Sequence, residues 1–269
     1  RRARFHLGLG LDPRDDLEQA LGHYKRALVL SPAYANAYNN SGIAHWRRAV
    51  WEHRSGLKPS DAFDQAQAAF GRALAINPRY AYAWTNLGMS LRTRAQAEFE
   101  RGEDPSPTLS RARHALDQAI SINPSIAYAH TERAAVDLIV ARNALKQGRT
   151  TGDSLASAAT AVRKALKVNP SNAAAWQTSA EVHRLKAAAL KHTGSSPRNE
   201  VARGLADADR ALELNPASWQ AMITSAGLHL LKEPKAKAAA RALLESAVEA
   251  NPLAEHDAAP LRLQCGKGH

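Results

Sequence analysis

The chain holds a single cysteine, Cys265, so no internal disulfide can staple it. That usage suits a reducing compartment, and the cytoplasm is the expected location. Aromatic residues make up only 6% of the 269 residues although 45% are hydrophobic, so alanine carries much of the apolar count. Alanine favours helix and is too small to fill a deep core by itself, which points to helices packed close together. No run approaches the ~20 apolar residues of a membrane span, so no membrane insertion is expected. The opening "RRARFHLGLG" is too short and too charged for a signal peptide. No stretch alternates polar and apolar residues as a β-strand does. An initiating Met is also missing, and the chain reads as a fragment or a processed chain.

Catalytic signatures are absent too. "GLGLDP" has two glycines two apart but no G-x-G-x-x-G, and no P-loop, H-R-D or D-F-G motif occurs. None of the 11 histidines forms H-x3-H or pairs with a cysteine at zinc spacing. His45, His183 and His229 share one place in the pattern described below, thirteen residues after a proline, where a structural role is expected. The acids of "DPRDDLE" lack EF-hand spacing and suit the positive end of a helix dipole. No enzyme activity, cofactor or metal is expected. Acidic residues are outnumbered, and net charge is +11. Such an excess fits nucleic acid, anionic lipid or an acidic partner, or simply an arginine-rich solvated surface.

What the chain does have is repetition. Ser31-Pro32, Asn77-Pro78, Asn123-Pro124, Asn169-Pro170, Asn215-Pro216 and Asn251-Pro252 recur at proline spacings of 46, 46, 46, 46 and 36. Gly10, Gly56, Gly102, Gly148 and Gly194 are again 46 apart. Alanine stands five residues before each anchor proline (Ala27, Ala73, Ala119, Ala165, Ala211, Ala247) and five after the first five of them (Ala37, Ala83, Ala129, Ala175, Ala221). Between these anchors the apolar spacing is helical, as in Ala112, Leu116, Ala119 and Ile120. Each unit is therefore two helices. In the third, the first helix is predicted from near Ala81 to about Arg101, ended by Gly102 in a left-handed conformation. Asp104 is the expected cap, Pro105 the first helical residue, and the second helix runs to about Ile122.

A period of 46 invites assignment to the HEAT or armadillo class, whose repeats run to ~40–47 residues. The residues point elsewhere. Trp84, Leu87, Gly88 and Leu91, followed by Ala112, Leu116, Ala119 and Pro124, resemble the tetratricopeptide pattern, and Ala66, Phe70, Ala73 and Pro78 repeat its second half. His130, Arg133 and Ala134 depart from it. The resemblance implies an all-α fold: a right-handed superhelical solenoid of antiparallel helix pairs, lengthened by a surplus at the turn inside each pair. Read this way, the array covers 1–252, with a partial repeat at 1–32 and repeats at 33–78, 79–124, 125–170, 171–216 and 217–252. Residues 253–269 form a tail, expected as a short extension lying over the last repeat or a loose end, because Pro260, Gly266 and Gly268 speak against a full capping helix. Repeats such as "INPSIAYAH" joined to "RGEDPSPTLSRARHALDQAISINP" also look like arrays that follow the kinase domain of some large bacterial serine/threonine kinases.

In this family the first helices line a concave groove, so the resemblance implies that function is binding of a protein or peptide segment there. The residues carried over to that face are Asn36, Asn39, Asn40 and Arg47, then Tyr82, Thr85, Asn86 and Arg92, then Tyr128 and Thr131, and finally Gln177 and Arg184. Trp46, Thr93, Glu132, Leu138, Ile139, Thr178 and Leu185 share the face. Amides, tyrosine and arginine suit an extended peptide; amides also simply solvate an exposed face. Members that bind chaperone tails clamp a carboxylate with a Lys–Asn pair. Here Asn39 with Ile43, and Thr85 with Met89, hold the matching positions, which speaks against that partner. Two alternatives stand beside peptide binding: single-stranded nucleic acid, disfavoured because the recurring aromatics sit at packing positions, and self-association.

Overall fold

A computed structural model describes residues 3, 6, 7, 9–232 and 236–266. Parts of the N-terminal partial repeat, of the basic stretch at 231–241 and of the tail, Gly268 included, lie outside the described residues. The described residues form helices and no strand: α1 (Arg14–Leu30), α2 (Ala35–Arg54), α3 (Ser60–Ile76), α4 (Ala81–Glu100), α5 (Ser106–Ile122), α6 (Ala127–Lys146), α7 (Gly152–Val168), α8 (Ala173–His192), α9 (Arg198–Leu214), α10 (Trp219–Lys232), α11 (Lys237–Ala250), a 3-10 turn (Pro252–Ala254) and α12 (Glu255–Cys265). Second helices begin at Arg14, Ser60, Ser106, Gly152 and Arg198, and first helices at Ala35, Ala81, Ala127 and Ala173. Both series step by 46 residues.

Two kinds of turn set this rhythm. The long turns close α2, α4, α6 and α8 on glycines with φ between 66° and 79°. After α4, the Gly102 N–H reaches the Phe99 carbonyl at 3.1 Å and the Glu103 N–H reaches Glu98 at 2.9 Å. This pair of bonds satisfies carbonyls the helix leaves orphaned. Asp104 Oδ1 then accepts the Ser106 N–H at 3.0 Å, and the Pro105 carbonyl takes the first helical bond, from Leu109. The short turns close α1 on Ser-Pro and α3, α5, α7, α9 and α11 on Asn-Pro. Asn77 donates its N–H to the Ala73 carbonyl, and its side-chain Oδ1 accepts the Arg79 N–H at 3.1 Å. Asn123, Asn169 and Asn251 accept the N–H two residues on in the same way.

The chain divides into two compact units, 1–136 and 137–269, with the boundary inside α6. In the first, α2 packs along α3 and α4 along α5, while α2 and α4 also touch. Ala66, Phe70, Ala73, Ala112, Leu116 and Ala119 are fully buried. Glycine allows the closest approaches: a Cβ on Gly42 would lie 2.6 Å from the Phe70 ring, and one on Gly88 would lie 2.5 Å from Leu116 Cγ. In the second unit, α8 packs along α9 and α10 along α11, around Ala187, Val201, Leu228 and Leu244. The tail is an extension lying over the last repeat, and it departs from the sequence expectation in being helical. Residues 255–265 form a helix that buries Ala258 and Cys265 against Ala226, Ala240 and Leu244. Pro260 is tolerated because proline costs a helix chiefly one N–H bond and a ring clash, and α12 offsets that by apolar burial. Cys265 is accordingly a core side chain.

Candidate functional site

The first helices of neighbouring repeats run side by side, so a residue faces the one 47 positions later: one period plus one place around the helix. In the first unit three rungs obey this rule. Asn86 Nδ2 donates to Asn39 Oδ1 at 2.9 Å, Trp46 Nε1 donates to Thr93 Oγ1 at 3.2 Å, and His53 Nε2 lies 2.7 Å from Glu100 Oε2. A further tie runs from α4 to α6. Arg92 Nε donates to Glu132 Oε2 at 2.6 Å, and the Tyr128 hydroxyl donates to Met89 Sδ at 2.8 Å. Burial opposes the charge on Arg92, yet Glu132 outweighs it and raises the guanidinium pKa further.

The sequence-derived groove residues of this unit fall into two groups. Asn39, Thr85 and Thr131 are buried in the stack, not presented to a ligand. Thr85 and Thr131 donate their hydroxyls to the carbonyls of Ala81 and Ala127, four residues back. Their helix position is turned toward the neighbouring helix, an angle that residue spacing alone does not encode. Asn36, Asn40, Tyr82 and Tyr128 are exposed, and Arg47, Asn86 and Arg92 are half-buried. Tyr82 and Tyr128, at equivalent places on α4 and α6, keep 60% and 41% of their surface in solvent.

In the second unit, Gln177 Nε2 donates to Thr224 Oγ1 at 3.2 Å, again 47 residues on. Glu181 of α8 is buried and accepts from both Arg142 Nη2 (2.6 Å) and Arg184 (2.6 and 2.7 Å). Burial pushes the Glu181 carboxyl up, but Arg184 and Arg142 outweigh it and hold it down to about 2. Arg184 lies across Gly227 of α10. Thus Gln177 and Arg184 are committed to side chains of their own unit. Glu181, Arg142 and Thr224 escaped the sequence reading; pairing polar residues at the 47-residue offset reveals Thr224.

His183 Nδ1 lies 2.6 Å from Glu200 Oε2 and joins α8 to α9. Burial, then nearby Arg48 and Lys232 respectively, lower the pKa values of His45 and His229. The recurring geometry of the Asn-Pro turn also explains an odd substitution. Trp84 and Trp176 donate Nε1–H to the carbonyls of Pro78 and Pro170 at 2.9 and 2.8 Å. His130, at the equivalent position, places Nε2 2.9 Å from the Pro124 carbonyl. A carbonyl only accepts, so His130 carries its proton on Nε2.

A family profile described as "TPR repeat" matches residues 14–48. That segment is α1, the short Ser31-Pro32 turn and most of α2, and it stops before the long Gly56 turn. That one segment is similar to a tetratricopeptide repeat, and the helical-repeat fold is of the same type. A thermophilic TPR protein of Thermus thermophilus shares its fold at a TM-score of 0.54 and 19% identity, over 82% of this chain and 99% of that one. Human IFIT1, solved as a dimer with m7Gppp-AAAA, gives a TM-score of 0.63 at 14% identity. The match covers 86% of this chain, which spans 45% of the IFIT1 chain. No curated protein matches the sequence. Among the described residues, no helix is long and apolar enough to cross a membrane.

Proposed function

We propose that the chain is a non-catalytic scaffold that binds an extended segment of a partner protein on the first-helix face of residues 1–136. The observation that carries this reading is the pair of large aromatic side chains, Tyr82 and Tyr128, left exposed at repeat-equivalent starts of α4 and α6, with Asn86 one helical turn after Tyr82 and held in place by Asn39. Tyrosine brings contact area at low entropic cost, and a side-chain amide fixed by a neighbour is pre-organised to pair with peptide backbone. Asn36, Asn40, Arg47 and Arg92 extend the polar rim. We place the array in the cytoplasm, as an interaction module of a larger, kinase-bearing bacterial protein; the single thiol and the form of the repeats support this.

The test is to pan a library of disordered peptides on the full chain and measure the enriched peptides by calorimetry. Replacing both tyrosines by Ala is expected to weaken them by ~10-fold or more, with circular dichroism unchanged. Equal affinity for the double variant would sink the assignment. A second reading, single-stranded RNA, draws on the IFIT1 structure, the net charge of +11 and the same two exposed rings. A fluorescent random oligoribonucleotide titrated at low and high salt separates the two, since phosphate contacts weaken steeply with salt.

A further inference from the structure

The excess positive charge is concentrated in the first half of the second unit. Between residues 138 and 199 ten Lys and Arg stand against two acids, Asp153 and Glu181, a net +8 of the chain's +11. Glu181 is taken up by Arg142 and Arg184. Equivalent repeats show which partners are missing. Arg14 pairs with Asp12 at 2.7 Å, whereas Arg198 finds Ser196 in that acid's place. Arg94 pairs with Glu98 of its own helix at 3.0 Å and with Asp64 of α3 at 2.5 Å, whereas Lys186 finds Leu190 and Ala156. Arg149 stands where Glu103 pairs with Arg101. Arg149, Lys191 and Arg198 are exposed, and with half-buried Lys186 they have no ion pair among the described residues. Arg142 and Glu181 tie α6 to α8, so the long turns that follow these helices lie on one edge. Residues 147–151 and 193–198 there hold no acid. Beside Arg149 opens a hollow of about 390 Å³ over Val140 and Ala144, bordered also by Asp153. Val140 and Ala144 stand where Arg94 and Glu98 form their ion pair one repeat earlier, so the hollow marks the volume that such a pair would fill.

We propose that this edge docks an acidic segment of a partner protein, whose carboxylates reach Arg149, Lys186, Lys191 and Arg198 and which lodges an apolar side chain in the hollow. Carboxylates fit because the same fold meets the equivalent Arg14 and Arg94 with Asp and Glu of its own. Unpaired cations on one edge also steer an oppositely charged chain toward it. Nucleic acid fits less well. Residues 137–269 contain two Phe, Trp or Tyr side chains, Trp176 and Trp219. Trp176 sits at the other end of α8, bonded to the Pro170 carbonyl, and Trp219 is buried. The edge therefore lacks the free rings on which single strands stack. The site stands on its own residues and does not depend on the tyrosine face of residues 1–136.

The probe is a fluorescein-labelled poly-Glu peptide with one central Leu, titrated with the full chain at ~0.15 M salt and followed by anisotropy. Saturable binding is expected. It should weaken ~10-fold or more for a chain carrying Arg149→Glu and Lys191→Glu, with circular dichroism unchanged. Lys164→Glu with Lys167→Glu makes the same change in net charge on exposed residues at the other end of α7, and should leave binding within ~2-fold. A peptide with Gly for the Leu should bind several-fold more weakly. The double tyrosine variant of the preceding section should bind the peptide normally, which keeps the two sites distinguishable. Absence of saturable binding overturns the proposal, as does equal loss in both charge-reversed chains or equal binding of a neutral Gly-Ser peptide around the same Leu. Equal binding of the Gly peptide overturns the anchor in the hollow. A random oligoribonucleotide that binds this edge more tightly than the peptide overturns the proposal in favour of nucleic acid. A concentration-dependent dimer in light scattering that Arg149→Glu abolishes overturns it in favour of a second copy.

Discussion

At the residue scale, equivalent positions act as controls for one another. His45 and Leu91 stand 46 residues apart on α2 and α4, yet only one is polar. Leu91 is buried without cost, whereas His45 Nδ1 is buried with no hydrogen-bond partner among the described residues. A buried unsatisfied nitrogen costs ~1–3 kcal/mol. His45→Leu is therefore expected to stabilise the protein by about 1 kcal/mol, read as a rise in Tm. The pH dependence follows. Burial and Arg48 hold the folded His45 below its ordinary 6.5. As pH falls through 6.5 the unfolded chain takes up a proton that the folded chain refuses, so stability is lost toward acid. Melts between about pH 7 and pH 5 should show a shallower decline for the leucine variant; parallel curves would remove His45 as the cause.

At the element scale, an ion pair links one first helix to another. Glu181 of α8 pairs with Arg142 of α6 and with Arg184 of its own helix. Glu181→Gln leaves two guanidinium groups facing a neutral amide, and breaking such a buried pair costs ~3–5 kcal/mol. Because the folded carboxyl is held down to about 2 from its ordinary 4.5, its contribution is complete above about 4.5 and lost as pH falls toward 2. Denaturant melts across that window should show the loss in the parent and not in the variant. The helix pairs themselves were legible in sequence. The expected 81–101 and the observed Ala81–Glu100 differ by one residue, since a glycine with positive φ and an Asn-Pro are local signals. The inward turn of Thr85 and Thr131 was not, because helix-to-helix rotation is set by packing. Nor was α12, whose proline outweighs its alanines on any local scale.

At the scale of the whole molecule, a stack of repeats is stable only if its last apolar face is covered. Residues 252–265 supply that cover for α10 and α11, burying Ala254, Ala258 and Cys265. Truncation after Ala250 is expected to expose Ala226 and Leu244, lower Tm by several degrees and bring on binding of a hydrophobic dye. A truncated chain with unchanged Tm and no dye binding would make α12 an ornament. The same reasoning explains how so few aromatics suffice: with alanine at each crossing, backbones approach closely and little volume is left to fill.

The long turns have one more consequence. A Cβ built on Gly56, Gly102, Gly148 or Gly194 would meet nothing within 4 Å, so nothing packs on any of these turns at its glycine. Because the turns recur at a fixed interval, cutting at any two of them and rejoining the ends restores the same junction. Excising 60–105 would bring Pro59 directly to Ser106, residues that already occupy consecutive places in the pattern. The chain is in this sense a ruler whose graduations are its turns, and a gene encoding it can be lengthened or shortened by whole divisions without redrawing the core.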